Sequence, residues 1–189
     1  MPGIVARYDE RMSLCRRIFA LLPALLLAGS AVALAGVPDT ADAARFPAYH
    51  KLGPDLAGSG QPTAEGLAEL EALGFRTVVN LRTEGEGAAA ERAAVEGQGL
   101  RYVSVPISRE TFSLGDVAAV RKVLDEPGVG PVLLHCATAN RVGAVWAVIQ
   151  AQDGRSLEQA EAAGRAAGLH SAVWIEAVHR LLATPATAP

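Results

Sequence analysis

A cysteine and an arginine, Cys136 and Arg141, bracket a short polar stretch that follows the run Pro131-Val-Leu-Leu-His135 and precedes the apolar segment opening at Val142. The pattern reads as a buried strand that delivers a thiol into a tight loop, with the arginine where a helix begins. Attack on phosphorus or sulfur by a thiolate needs its parts in that order. A helix start offers unpaired N–H groups and the positive end of its dipole, which suit an oxyanion and lower the pKa of a nearby thiol. The arginine adds a planar fork of donors that grips two oxygens at once. A lone cysteine is often only a small buried apolar residue; the neighbouring His135 and the strand–loop–helix context favour chemistry here.

Alternating elements must position this loop. Residues 56–59 read as a short strand leading to Gly60-Gln61-Pro62, and Thr63 caps a helix that runs to about Gly74. The β-branched run 76–82 and the run 101–107 are strands, and residues 87–96 are helical by their Ala and Glu content. Ser113 caps a helix to Leu124, and Val132 to His135 form the strand before the cysteine. Three helices follow, at about 141–152, 156–167 and 171–182. Strands alternating with helices predict a single α/β domain with a mostly parallel central sheet flanked by helices, and a C-terminal helical cluster. Ligands of such sheets bind beyond the carboxyl ends of the strands. Those ends carry Asn80, Arg82, Pro106, Ser108, His135 and Cys136, so Arg82 becomes a candidate by position, unless it is a strand-end arginine paired with Glu84 or Glu86. Trp146 and Trp174 fall on helical apolar stripes and read as core packing.

The front of the chain bears on compartment. Arg11, Arg16 and Arg17 precede an apolar run that ends in Ala33-Leu34-Ala35, a basic, apolar and small-x-small succession expected of a secretory signal peptide. The rival reading is an uncleaved membrane anchor, for which the run is slightly short and carries Pro23, Gly29 and Ser30. The expected organisation is a signal peptide over 1–35, a linker over 36–47, the domain over 48–182 and a tail over 183–189. Export to the periplasm or the medium follows, with no membrane attachment after cleavage. Residues 1–35 carry four Arg, one Asp and one Glu, so their loss moves the formal charge from −3 to −5. That mild acidity gives no general attraction to nucleic acid or anionic lipid. Cys15 would leave with the leader, and a single thiol forms no internal disulfide. The remaining histidines, His50, His170 and His179, show no metal-ligand spacing.

Four stretches taken in order carry a resemblance: Ser59-Gly60-Gln61-Pro62-Thr63, Val79-Asn80-Leu81-Arg82, Tyr102 with Val105-Pro106, and His135-Cys136 through Asn140-Arg141-Val142-Gly143. Together they resemble the bacterial beta-lactamase-hydrolase-like phosphatase family, a branch of the Cys-dependent, dual-specificity-phosphatase-like superfamily, across about residues 46–182. The resemblance implies a phosphatase-type fold, Cys136 as nucleophile, and a phosphocysteine intermediate that water hydrolyses. It implies that the backbone N–H groups of Ala137, Thr138, Ala139, Asn140 and Arg141, with the Arg141 guanidinium, hold the phosphoryl oxygens. It implies no metal and no organic cofactor, and a small-molecule or protein phosphoester as partner. His135 is expected to orient the loop through hydrogen bonds, or else to be a buried strand-end histidine.

Several positions depart from that pattern. Four residues separate Cys136 from Arg141, where protein tyrosine phosphatases have five; the shorter spacing occurs in rhodanese-type sulfurtransferases, whose cysteine carries a persulfide. Ala139 stands where the family often has Gly, at a cost of about 1 kcal/mol if the position needs positive φ. Val142 stands where many phosphatases have a hydroxyl residue. The loop after residue 107, where an acidic general acid is expected, has no Asp; Glu110 is the first candidate and Asp116 the second. Three readings follow: a phosphatase, a sulfurtransferase using a Cys136 persulfide, and an inactive anion-binding domain.

Overall fold

The computed structural model describes residues 36–183; the expected signal peptide and all of the expected tail beyond Ala183 lie outside the described residues. Four short runs make a parallel core: β2 (Leu56–Ser59), β3 (Thr77–Asn80), β4 (Arg101–Ser104) and β5 (Val132–His135). One edge strand the sequence did not announce, β1 (His50–Gly53), pairs antiparallel with β2. The order across the sheet is β1-β2-β5-β3-β4, so β5 lies at the centre. The expected mostly parallel α/β domain is the one observed.

The helices are α1 (Ala64–Ala68), α2 (Ala88–Glu96), α3 (Leu114–Leu124), α4 (Asn140–Gln152), α5 (Leu157–Ala166) and α6 (Ala172–Ala183), with a 3-10 turn at Glu84–Glu86. Successive strand residues face opposite sides. Val78 and Leu133 therefore pack with Phe46, Leu67, Leu70, Phe75 and Val95 on one face. Val79 and Leu134 pack with Val117, Val120, Val145, Val148 and Val178 on the other. Both faces are covered, which is why β3 and β5 are buried at every residue.

Three boundaries differ from expectation for identifiable reasons. The α1 helix stops at Ala68 and continues as tightened turns, with Glu69 N–H donating to the Gly66 carbonyl and Gly74 N–H to that of Glu71. Strand β4 ends at Ser104 because Pro106 has no N–H for the ladder, although single bonds persist from Val105 N–H to Asn80 and from Ile107 N–H to Leu81. Residues 36–47, expected as a linker, form no helix or strand but are packed: Val37 and Phe46 are buried, and the Arg45 and Pro47 carbonyls accept from Thr63 and Gly60.

The C-terminal cluster is locked by glycine. A Cβ at Gly164 of α5 would lie 2.7 Å from the Gly143 carbonyl oxygen of α4, so the two backbones touch directly. This contact seats α5, and the turn after it, against the first turns of α4.

Candidate active site

The carboxyl ends of β2, β5, β3 and β4 lie side by side, with Ser59 opposite His135, His135 opposite Asn80, and Asn80 opposite Ser104. The loop from Cys136 to Ala139 springs from the middle of that edge. It is tied to the turn after β2: Cys136 N–H donates to the Ser59 carbonyl at 3.3 Å, and Gln61 N–H donates to the Ala137 carbonyl at 3.1 Å. Because the peptide is trans, fixing that carbonyl outward directs the Thr138 N–H to the opposite side. Gly60 lies beneath, where a Cβ would approach the Pro47 and Ala137 carbonyls at 3.1 and 3.2 Å.

Ala139 takes the left-handed conformation, φ 63° and ψ −7°, and precedes the first helical residue, Asn140. The position does need positive φ, and Ala139 itself adopts it, so the cost attached to Ala there applies. Helices α3 and α5 begin with capping boxes, Ser113 with Asp116 and Ser156 with Gln159, whereas α4 begins with no side-chain cap. Its first-turn amides are thus not capped by a side chain at the crest of the loop. Asn140 holds that crest to the turn before α6: its Oδ1 accepts from the N–H groups of His170 (3.0 Å) and Ser171 (2.8 Å), and its Nδ2 donates to Thr138 Oγ1 at 3.1 Å.

Cys136 is 1% exposed, while Ala137 and Thr138 are exposed above it. Arg141 turns inward. Its Nη1 donates to Glu86 Oε2 at 2.7 Å and to the Leu81 and Ile107 carbonyls at 3.1 Å each, and its Nη2 donates to Glu86 Oε1 at 2.5 Å. The guanidinium is held charged above its ordinary range: burial opposes this, but Glu86 and the neighbouring Cys136 outweigh it. In turn the Arg141 fork, helped by Thr83, pulls the Glu86 carboxyl down to about 2 against the opposing effect of burial. The sequence offers Glu86 only as a partner for Arg82; in the structure it is the bidentate partner of the loop arginine.

Arg82 does approach the site, but through a different carboxylate. Its Nη1 donates to Gln61 Oε1 and lies 3.5 Å from Glu91 Oε2 on α2. Glu91 also accepts from Gln61 Nε2 at 2.8 Å and meets His135 Nε2 at 2.7 Å. His135 is fully buried and held by Glu91, as an orienting role would require.

A cleft of about 290 Å³ opens over the loop, lined by Thr83, Glu86, Thr138, Arg141, Glu110 and Trp174 among others. A larger cavity of about 680 Å³ lies at the opposite edge of the sheet, among Gly53, Arg76 and Val132, away from the strand ends where parallel sheets bind ligands. Trp174, read from sequence as core, sits against Phe112 edge-to-face at 5.4 Å and also walls the cleft. Glu110 lines the rim but is exposed, and its own backbone N–H, Ser108 and Arg109 hold its carboxyl below the usual range. Asp116 is engaged in capping α3, accepting from Ser113 N–H and Oγ at 2.9 and 3.0 Å. Val142 is buried and packs over Gly58, facing the core. Among the described residues no cluster of three His, Cys, Asp or Glu could hold a metal ion.

Residues 48–153 match the family described as beta-lactamase hydrolase-like protein, phosphatase-like domain. A beta-lactamase hydrolase-like protein of Xylella fastidiosa strain 9a5c is 32% identical over 130 residues, covering 64% of this chain and 30% of the relative. One from Agrobacterium fabrum is 31% identical over 102 residues, 51% of this chain and 23% of its own. The chain thus spans at most about a third of these curated relatives. Among solved structures, TpbA from P. aeruginosa in complex with pTyr aligns at TM-score 0.60 and 21% identity, over 80% of this chain and 91% of its own. The catalytic core of the PP-IP phosphatase SIW14 from S. cerevisiae aligns at TM-score 0.58 and 17% identity, over 72% and 86%. The last two likenesses establish the fold, and the sequence match establishes kinship: this chain belongs to the beta-lactamase hydrolase-like, phosphatase-like domain family.

Proposed function

We propose that this domain is an exported Cys-dependent phosphatase that hydrolyses phosphoric monoesters through a phosphocysteine intermediate. The observation that carries the reading is the junction of β5 and α4. It sets Cys136 beside a charged Arg141, under a helix start with no side-chain cap. In this reading the Cys136 sulfur attacks phosphorus, the leaving alcohol departs, and water later cleaves the S–P bond. The amides of Ala137 to Asn140 and the Arg141 guanidinium stabilise the oxygens as charge builds on them. His135 and Arg82 support the loop from behind, and Glu110, on the rim of the cleft, is the candidate acid for the leaving group. TpbA in complex with pTyr and the PP-IP phosphatase SIW14 lend support by fold for a phosphorylated substrate. The leader read at residues 1–35 supports export. Turnover of an aryl phosphate by the purified mature protein tests the activity: it is expected to vanish in Cys136→Ser, and full activity in that variant would refute it.

A second reading, sulfur transfer, is favoured by the four-residue spacing between Cys136 and Arg141. It requires Cys136 to gain one sulfur from thiosulfate, which intact-mass measurement detects.

A further inference from the structure

Three of the sequence stretches that mark this chain contribute one side chain each to a single carboxylate. Gln61 from the turn after β2 donates to Glu91 Oε2 at 2.8 Å, and Arg82 from the end of β3 stands 3.5 Å from the same oxygen. His135, the last residue of β5, meets Glu91 Oε1 at 2.7 Å. The Glu91 and His135 side chains are 3% and 0% exposed, so the junction is shielded from water. A buried carboxylate persists only where its charge is matched and hydrogen-bonded. Here burial pushes the Glu91 carboxyl up, but His135, Gln61 and Arg82 together bring it below its ordinary value. An ionised carboxylate only accepts, so His135 Nε2 carries the proton of this bond. The other ring nitrogen, Nδ1, is buried with no hydrogen-bond partner. Among the described residues Glu91 is therefore the sole polar tether of the imidazole that immediately precedes Cys136.

We infer that Glu91 is a positioning residue for Cys136. It fixes the His135 ring, and through Gln61 and Arg82 it fixes the turn whose N–H holds the Ala137 carbonyl outward. The same carboxylate thereby sets both ends of the anion-holding loop from behind: the strand that presents the sulfur, and the peptide that follows it. The inference rests on the proposed chemistry for its kinetic consequence, but its structural consequence is independent of turnover. A group with this role acts on the geometry of the loop that both holds the phosphoryl group and presents the sulfur, so its loss lowers kcat and weakens capture of the phosphoryl group together.

The variants are Glu91→Gln, which keeps the shape and removes the charge, His135→Gln, and the double substitution. Glu96→Gln, an exposed change on the same helix, is the control. Each protein is assayed with an aryl phosphate well below its melting temperature, and its melting temperature is read with and without inorganic phosphate. The expected result for Glu91→Gln is a kcat/KM lower by about tenfold or more, with kcat itself reduced, and loss of the phosphate-induced rise in melting temperature that the parent shows. The double variant is expected to be no slower than the worse single one, because the two residues act through one connection. Parental kcat in folded Glu91→Gln, with phosphate stabilisation intact, would overturn the inference while leaving the phosphatase reading standing. A parent that turns over no phosphoester but loses phosphate stabilisation on Glu91→Gln would remove that reading and keep this one.

Discussion

At the scale of single residues, the site is governed by which carboxylate meets which cation. Arg141 donates to Glu86 through both terminal nitrogens, and Glu86 titrates at about 2 in the fold against 4.5 ordinarily. A depressed carboxylate contributes stability that is complete above its unfolded value and fades as pH falls through 4.5 toward 2. The Glu86 side chain is 35% exposed, so solvent screening reduces the effect to about 1–2 kcal/mol. Glu86→Gln is therefore expected to be less stable than the parent by that amount at pH 7 in urea denaturation. The gap should close as the pH approaches 2; a gap that persists at pH 2 would mean the charge is not its source. These pairings were only partly legible in the sequence. Cys136, Arg141 and His135 announce themselves by order along the chain. Glu86 and Glu91 lie in Ala- and Glu-rich stretches where nothing local separates a buried acid from a solvated one. Arg82 was visible as a strand-end residue, but its partner comes from a helix face that only the folded crossover brings near.

At the scale of elements, the loop depends on what packs behind it. Gly168, φ +99°, follows α5 and faces Ala139, where a Cβ would stand 2.5 Å from the Ala139 Cβ. Gly154 also has positive φ, +91°, but open space around it. Gly154→Ala is thus expected to cost about 1 kcal/mol for conformation alone. Gly168→Ala adds a clash with a buried residue that has no room to retreat, for a total of about 2–4 kcal/mol. Thermal melting of the two variants compares them directly, and equal losses would show that the Ala139 contact is not tight. Most element positions were readable because caps and period agree: Ser113, Ser156 and Thr63 start helices, and the apolar four-residue runs become strands. Strand β1 was not readable, since His-Lys-Leu-Gly lacks alternation and owes its form to pairing with β2. Trp174 was read as core by helical spacing, which does not distinguish a residue under the surface from one at the wall of a cleft.

At the scale of the whole molecule, the domain begins in contact with itself. Val37 N–H donates to the Pro54 carbonyl at 2.9 Å, and a Cβ at Gly36 would meet the same oxygen at 2.2 Å. Processing after Ala35 would therefore leave a terminus already packed on the domain. If the leader acts as proposed, protein recovered from the periplasm or medium of an expressing bacterium begins at or near Gly36. Protein found only in the cytosol with residues 11–35 retained would contradict export. The segment 36–47 looked like a linker because its composition lacks period; two anchors, Val37 and Phe46, were enough to bind it. In turn, the Pro47 carbonyl accepts from Gly60, so this segment buttresses the turn that holds the Cys136 loop.

The most direct test of the account is chemical trapping on the sulfur itself. The mature protein is mixed with an aryl phosphate bearing a radiolabelled phosphoryl group, quenched early in turnover, digested, and its peptides separated. The account predicts label on the peptide that contains Cys136, lost on longer incubation without substrate and never present in Cys136→Ser. Phosphoester turnover with no label on that peptide, and undiminished in Cys136→Ser, would contradict it.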